Sequence, residues 1–330
     1  MLKALVTGGA GFIGYHLARA LAGRGYAVDI LDNHARGVRD DALQELLAQP
    51  GVRMIEADLR DPATADALDT DYDRIFHLAA IIGVQHVRSR PYEVLTANAA
   101  MLDTVIRLGR RQRALGRILF ASTSEIYAGT LQAFGIPVPT PEDTPLTCGD
   151  LTEPRTSYML SKLYGEAMVR FSGVPFTIVR FHNVYGPRMG MSHVVPQLLE
   201  KAQRLTGDAP LEVASVEHSR SFCYVDDAVE YLVRMVMLPA CANQTFNVGT
   251  QAPEVRIGDV AQVILDVVGR ANPVRALPEH PGSPTRRAPD MGKAVEATGF
   301  RSRVDLRTGV QKTYDWYREH VFERAEVCAV

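Results

Sequence analysis

The sequence is short of several features that would decide its class at once. Cysteine occurs only four times in 330 residues, at Cys148, Cys223, Cys241 and Cys328, widely spaced and without a CxxC pair. That spacing gives neither a disulfide framework nor a zinc site, so no metal is expected. Charge of one sign is not in excess: 36 Lys and Arg against 38 Asp and Glu leave a formal charge of −2. So small an imbalance draws in neither nucleic acid nor an acidic membrane, and neither is expected as a partner. The basic group Arg110, Arg111 and Arg113 reads as a solvated helix face. No apolar run approaches the length that spans a bilayer, and the first residues read as a strand rather than a secretory leader. The expectation is a cytoplasmic protein. Internal repeats and low-complexity linkers are also missing.

What remains is an ordinary globular composition, with 46% hydrophobic and 22% charged residues, enough to bury a large core. Short apolar runs at 2–7, 27–31, 53–57, 74–78, 117–121 and 176–181 read as strands. Stretches with helical spacing lie between them, at 12–24, 41–49, 62–68, 92–115 and 157–172. This alternation predicts an α/β fold, a doubly wound parallel sheet with helices on both faces. The second half is looser. Proline and glycine thicken over 129–154 and 273–289, and helical stretches at 194–205, 225–237 and 257–268 are separated by long loops. The predicted division is a nucleotide-binding domain over 1–181, to which 219–249 returns. A smaller mixed α/β substrate-binding domain is predicted over 182–218 and 250–330, with fraying after Glu323.

The first strand runs into TGGAGFIG at 7–14 and then into a helix. In that context Gly8, Gly11 and Gly14 have separate tasks: a tight turn, close approach of a pyrophosphate, and close helix–strand packing. The helix N-terminus adds free N–H groups and a positive dipole end. Asp32 stands at the end of the second strand. A carboxylate there binds ribose hydroxyls and repels a 2′-phosphate, so the Rossmann-type site is read as one for NAD. Arg36 nearby is the one residue that argues for NADP. Asp58 and Leu59 follow the third strand, where an adenine edge would lie, although Asp58 also suits a helix N-cap.

Tyr158 and Lys162, at i and i+4, share a helix face. An ammonium beside a tyrosine favours phenolate and lets it act as a base. Ser122, Thr123, Ser124 and Glu125 follow the fifth strand at the carboxyl edge of the sheet, where ligands bind in open α/β folds.

With these residues in place, the chain resembles the extended short-chain dehydrogenase/reductases, the NAD-dependent epimerase/dehydratase group. The resemblance covers almost the whole chain. It rests on TGGAGFIG, Asp32, DLRD (58–61), HLAA (77–80), STSEIY (122–127), YMLSK (158–162), RFHNVYGPR (180–188), RSFCYVDD (220–227) and FNVG (246–249). It implies Thr123, Glu125, Tyr158 and Lys162 as catalytic residues, with Tyr158 the base, Lys162 on the nicotinamide ribose and Thr123 on the reacting hydroxyl. It implies NAD contacts from Gly8, Gly11, Phe12, Ile13, Gly14, Asp32, Asn33, Asp58, Leu59, Leu78, Ala79, Ala80 and Asn98, besides Tyr158 and Lys162. Ser124, Asn183, Arg188, Arg220 and Arg287 would meet a nucleotide-sugar substrate, with a UDP-sugar expected. A homodimer through the helices at 92–115 and 157–172 is also implied.

In such enzymes the sugar is oxidised at C4, and the ketone can be re-reduced to a 4-epimer, lose water, or lose carbon dioxide from C6. Glu125 resembles the carboxylate of the dehydratases and UDP-glucuronate decarboxylases rather than the simple 4-epimerases. Dehydratases of that signature generally prefer NADP, which suits Asp32 poorly. Arg287, in RRAPD (286–290), resembles an arginine that reaches the decarboxylase active site, and arginine pairs bidentately with carboxylates. Both it and Arg286 could instead bind the diphosphate. The chain departs from the pattern at Tyr127-Ala128-Gly129, in the long insert 129–154, and at Met159-Leu160-Ser161. Decarboxylation leads the 4-epimerase reading, and a non-catalytic dinucleotide-binding regulator is the third.

Overall fold

The computed structural model describes residues 1–279 and 284–323. Cys328 and the segment for which fraying is expected lie outside the described residues. The strands β1 (Lys3–Thr7), β2 (Ala27–Asp32), β3 (Val52–Glu56), β4 (Arg74–His77), β5 (Arg117–Thr123) and β6 (Phe176–Phe181) join a seventh, Gln244–Val248, in one sheet. The order is seventh strand, β6, β5, β4, β1, β2, β3, and every neighbouring pair is parallel. This is the doubly wound arrangement the alternation predicts. Its direction of growth reverses between β1 and β4, which opens a crevice at their carboxyl ends.

Seven helices cover this part of the chain: α1 (Phe12–Ala22), α2 (Asp41–Leu47), α3 (Thr64–Ala67), α4 (Val84–Ser89), α5 (Pro91–Arg111), α6 (Ala128–Phe134) and α7 (Thr156–Phe171). Proline starts α5, where its missing N–H costs nothing. The helix stops at Arg111, short of the predicted end, because Gln112 turns extended. The Gln112 amide then accepts from the Tyr72 backbone and donates to Asp69 and Leu108. Strand β5 is buried along its whole length and continues through Thr123, two residues beyond expectation. Ser122 and Thr123 are therefore held in the sheet, and only Ser124–Tyr127 forms the turn after it.

The smaller layer contains α8 (Val194–Gln203), α10 (Ile257–Val268) and the helix Leu306–Tyr317, whereas α9 (Val225–Met237) packs on α1, β5 and β6, with the helix Gly292–Thr298 against it and the seventh strand. Short pairings hold its loops. Ser219–Arg220 pairs antiparallel with Val255–Arg256 and parallel with Arg286–Arg287. The insert, read from sequence as long and rich in proline and glycine, overlaps α6 and then doubles back. There Thr140 N–H donates to Ala288 at 2.9 Å, and Asp290 N–H donates to Thr140 at 2.9 Å. Residue 287 is thereby gripped from both sides. Among the described residues no helix is long and apolar enough to cross a membrane.

Candidate active site

At the centre of the crevice lies the glycine turn. Gly8 sits at φ +71°, and a Cβ there would come within 2.8 Å of the Ala79 nitrogen. A Cβ on Gly14 would overlap the Gly8 carbonyl, so α1 can seat against the turn only with glycine there. No side chain caps α1 at Gly11, which leaves its first N–H groups facing the crevice beside Phe12 and Ile13. Asp32 accepts from Ala10 N–H at 3.1 Å and from His34 N–H at 2.8 Å. Its carboxylate is thus fixed beside the turn. Asn33 donates to Asp58 at 3.2 Å, and Asp58 is held down to about 2 by its pairing with Arg60. The half-buried Leu78, Ala79 and Ala80 follow β4 against the turn, and Leu59 is buried behind them. Asn98 of α5 grips this loop and the helix below it. It accepts from Ile81 N–H at 2.8 Å and donates to Ser161 Oγ at 3.0 Å. A bare helix terminus, a turn that excludes side chains and an oriented carboxylate together fit a dinucleotide.

One step along the sheet, α7 brings Tyr158 beside Thr123. Lys162 is buried, donates to the Ala121 carbonyl at 2.8 Å, and lies 5.9 Å from the Tyr158 ring centre. Burial pushes the lysine down to about 8. The tyrosine is shifted upward, opposite to the sequence expectation. Enclosure of its hydroxyl and the nearby Glu125 charge outweigh the pull of Thr123 and Arg36.

Glu125 is clasped by two arginines. Arg287 donates to Oε1 at 2.7 Å and Arg155 to Oε2 at 3.0 Å. Arg287 contributes most to holding the carboxyl down at about 2. Ser124 is buried and shares the wall of a small cavity with Tyr127, His182 and Arg287. Arg220 lies within electrostatic reach of Arg287 and Glu125, and burial lowers its pKa to about 10. Its guanidinium donates to the Ser219 and Pro284 carbonyls. Asn183, at φ +42°, donates to the Ser221 carbonyl at 3.0 Å. The structure thus gathers Thr123, Glu125, Tyr158, Lys162, Ser124, Arg220 and Arg287 around one crevice.

Arg188 is committed elsewhere. Buried itself, it pairs with the half-buried Asp40 at 2.8 Å, donates to Val38, and stacks on Tyr15 at 4.1 Å. That position ties the loop before α2 to α1.

Sequence reasoning missed Arg155, which looks like any surface arginine before a helix. It also missed the layer beneath the site. Arg180 pairs with Glu166 at 2.8 Å, both buried, and Glu166 accepts from Ser122 at 2.7 Å. Tyr127 and His182 both reach the Asn247 amide oxygen at 3.1 Å. Strand and helix periodicity marks these residues only as inward-facing. Among the described residues no cluster of His, Cys, Asp or Glu could hold a metal ion.

Comparison with known proteins agrees with this geometry. A profile of the NAD dependent epimerase/dehydratase family matches residues 4–249. A UDP-N-acetyl-alpha-D-glucosaminuronate decarboxylase of Bacillus cytotoxicus is 31% identical over 96% of this chain and 98% of its own. UDP-glucuronic acid decarboxylase 6 of Arabidopsis thaliana is 31% identical, over 94% of this chain and 87% of its own. Among solved structures, a UDP-glucuronic acid 4-epimerase of Bacillus cereus, in complex with UDP-glucuronic acid and NAD, superposes with a TM-score of 0.82. It is 25% identical and covers 96% of this chain and 99% of its own.

Proposed function

Because the chain belongs to the NAD dependent epimerase/dehydratase family, we propose that it decarboxylates a UDP-linked uronic acid through a 4-keto sugar. The observation that carries this reading is the Glu125–Arg287 pair, 2.7 Å apart, beside Thr123 and Tyr158. The Bacillus and Arabidopsis relatives named as decarboxylases support it.

The chemistry follows from the side chains. Thr123 orients the C4 hydroxyl, and Tyr158 takes its proton. Lys162 underlies both, and at neutral pH its ammonium is retained. NAD, when bound on the glycine turn, supplies the acceptor for the C4 hydrogen and a positive ring beside Tyr158. With C4 a ketone, the C6 carboxylate is a β-keto acid. The C5–C6 bond breaks, its electron pair passes into the ketone as an enolate, and carbon dioxide leaves. A proton then adds at C5 and the ketone is reduced again. Arg287 can exchange Glu125 for the substrate carboxylate and hold it. Glu125, released from that arginine, is then free to handle the proton at C5. Asn183 and Arg220 would meet the diphosphate.

The second reading is a 4-epimerase with the same first step, favoured by the overlap with the Bacillus cereus enzyme. Tyr92 on α5 and Tyr164 and Phe171 on α7 are exposed aromatics. The two on α7 are seven residues apart and share a face, which supports a homodimer through these helices.

Incubation with UDP-glucuronate, UDP-glucose and GDP-mannose, with products read by mass and NMR, tests the proposal. Loss of carbon dioxide from UDP-glucuronate is the expected result. An isomer of unchanged mass establishes epimerisation instead, and loss of water establishes dehydration.

A further inference from the structure

Arg36 lies in the loop after β2, and its Nη1 donates to the Ile82 carbonyl, 2.9 Å away, in the loop after β4. In the sheet, β4 and β2 are the two neighbours of β1. The side chain therefore crosses from one flank of the glycine turn to the other. Its base is anchored on that turn. Val38 N–H donates to Ala10 at 3.1 Å, and a Cβ on Gly37 would stand 2.8 Å from both the Ala10 Cβ and Asp32 Oδ1.

The charge at the end of this strap has no anionic partner among the described residues. Arg180, Arg188 and Arg287 each rest on a carboxylate, whereas Arg36 rests on a single neutral carbonyl. Although the residue as a whole is exposed, burial of its charged end lowers its pKa, and the guanidinium lies within electrostatic reach of Tyr158. A cation across a bare helix terminus calls for an anion between the two.

We propose that Arg36 closes over the pyrophosphate of bound NAD, exchanging the Ile82 carbonyl for phosphate oxygens and retarding release of the cofactor. A 2′-phosphate would lie at the end of β2, where Asp32 stands, and not on the far side of the turn. The sugar-nucleotide diphosphate would lie toward Arg220. The proposal rests on NAD binding and does not depend on which branch the ketone takes.

The test is the affinity of Arg36→Met and Arg36→Lys for NAD, ADP, adenosine, NADP and UDP by calorimetry, with the NAD release rate measured by displacement. Arg36→Met is expected to weaken NAD and ADP about tenfold or more and to speed release. Adenosine and UDP should bind as before, Arg36→Lys should fall between, and the unfolding midpoint should not move. Unchanged NAD affinity overturns the proposal. So does a loss confined to NADP, which makes Arg36 a reader of the 2′-phosphate, or one confined to UDP, which assigns it to the substrate. A loss shared equally by adenosine also overturns it, because the loop and not the charge is then at fault.

Discussion

In the proposed reaction the residue that would govern the outcome is Glu125, whose carboxylate two arginines clasp. A carboxyl moved from 4.5 to about 2 favours the folded state above pH 4.5, and that contribution is lost as pH falls toward 2. Denaturant unfolding at pH 5 and pH 3 should therefore show Glu125→Gln losing less stability on acidification than the parent protein. Equal losses would mean that the arginines do not hold the charge. In catalysis the same variant should still reduce the cofactor with UDP-glucuronate but release little carbon dioxide. Tyr158→Phe should block both steps, lowering turnover by about 10²–10⁴-fold, with neither reduced cofactor nor carbon dioxide formed. Glu125 and Arg287 were legible as types in their motifs. Their contact, 162 residues apart in the chain, was not, because it depends on Thr140 and Ser219–Arg220 gripping residues 286–290. Arg155 carried no signal at all.

At the scale of elements, the strands and helices of the first half follow their apolar periodicity closely except α4, which no predicted stretch covers, and α9 and α10 fall on the predicted residues. The insert did not. Its α6 is short, and its remaining order comes from tertiary pairing rather than local propensity. The seventh strand was legible only as the motif FNVG within a segment expected to return to the sheet. Two elements lend themselves to direct tests. Gly14→Ala forces α1 away from the Gly8 carbonyl, so NAD binding should be lost while the far end of the sheet keeps its hydrogen-exchange protection. Glu166 locks α7 to β6 through Arg180, both side chains being 3–4% exposed. Glu166→Gln leaves a buried guanidinium without its counter-charge and should cost about 3–5 kcal/mol in chemical denaturation. A change under 1 kcal/mol would show that water or Tyr127 compensates.

For the whole molecule, the sheet brings the glycine turn and α7 to one edge, and α8, α10 and Leu306–Tyr317 form a smaller layer apart from the sheet. In the chain this difference is visible as a change from regular alternation to long loops. The exposed aromatics of α5 and α7 belong to this scale. Tyr164→Glu with Phe171→Glu should shift sedimentation from dimer to monomer without changing the unfolding midpoint of the isolated chain. A parent protein that sediments as a monomer would remove the dimer from the account.

The central claim is that C4 is oxidised before C6 leaves. UDP-glucuronate carrying deuterium at C4 tests it most directly, with rapid quenching and mass analysis of the cofactor in the parent protein and in Glu125→Gln. The account predicts deuterium on the cofactor in both, persisting in the variant, and slower turnover than with the protiated sugar. Release of carbon dioxide at an undiminished rate, with no deuterium on the cofactor in either protein, would contradict it.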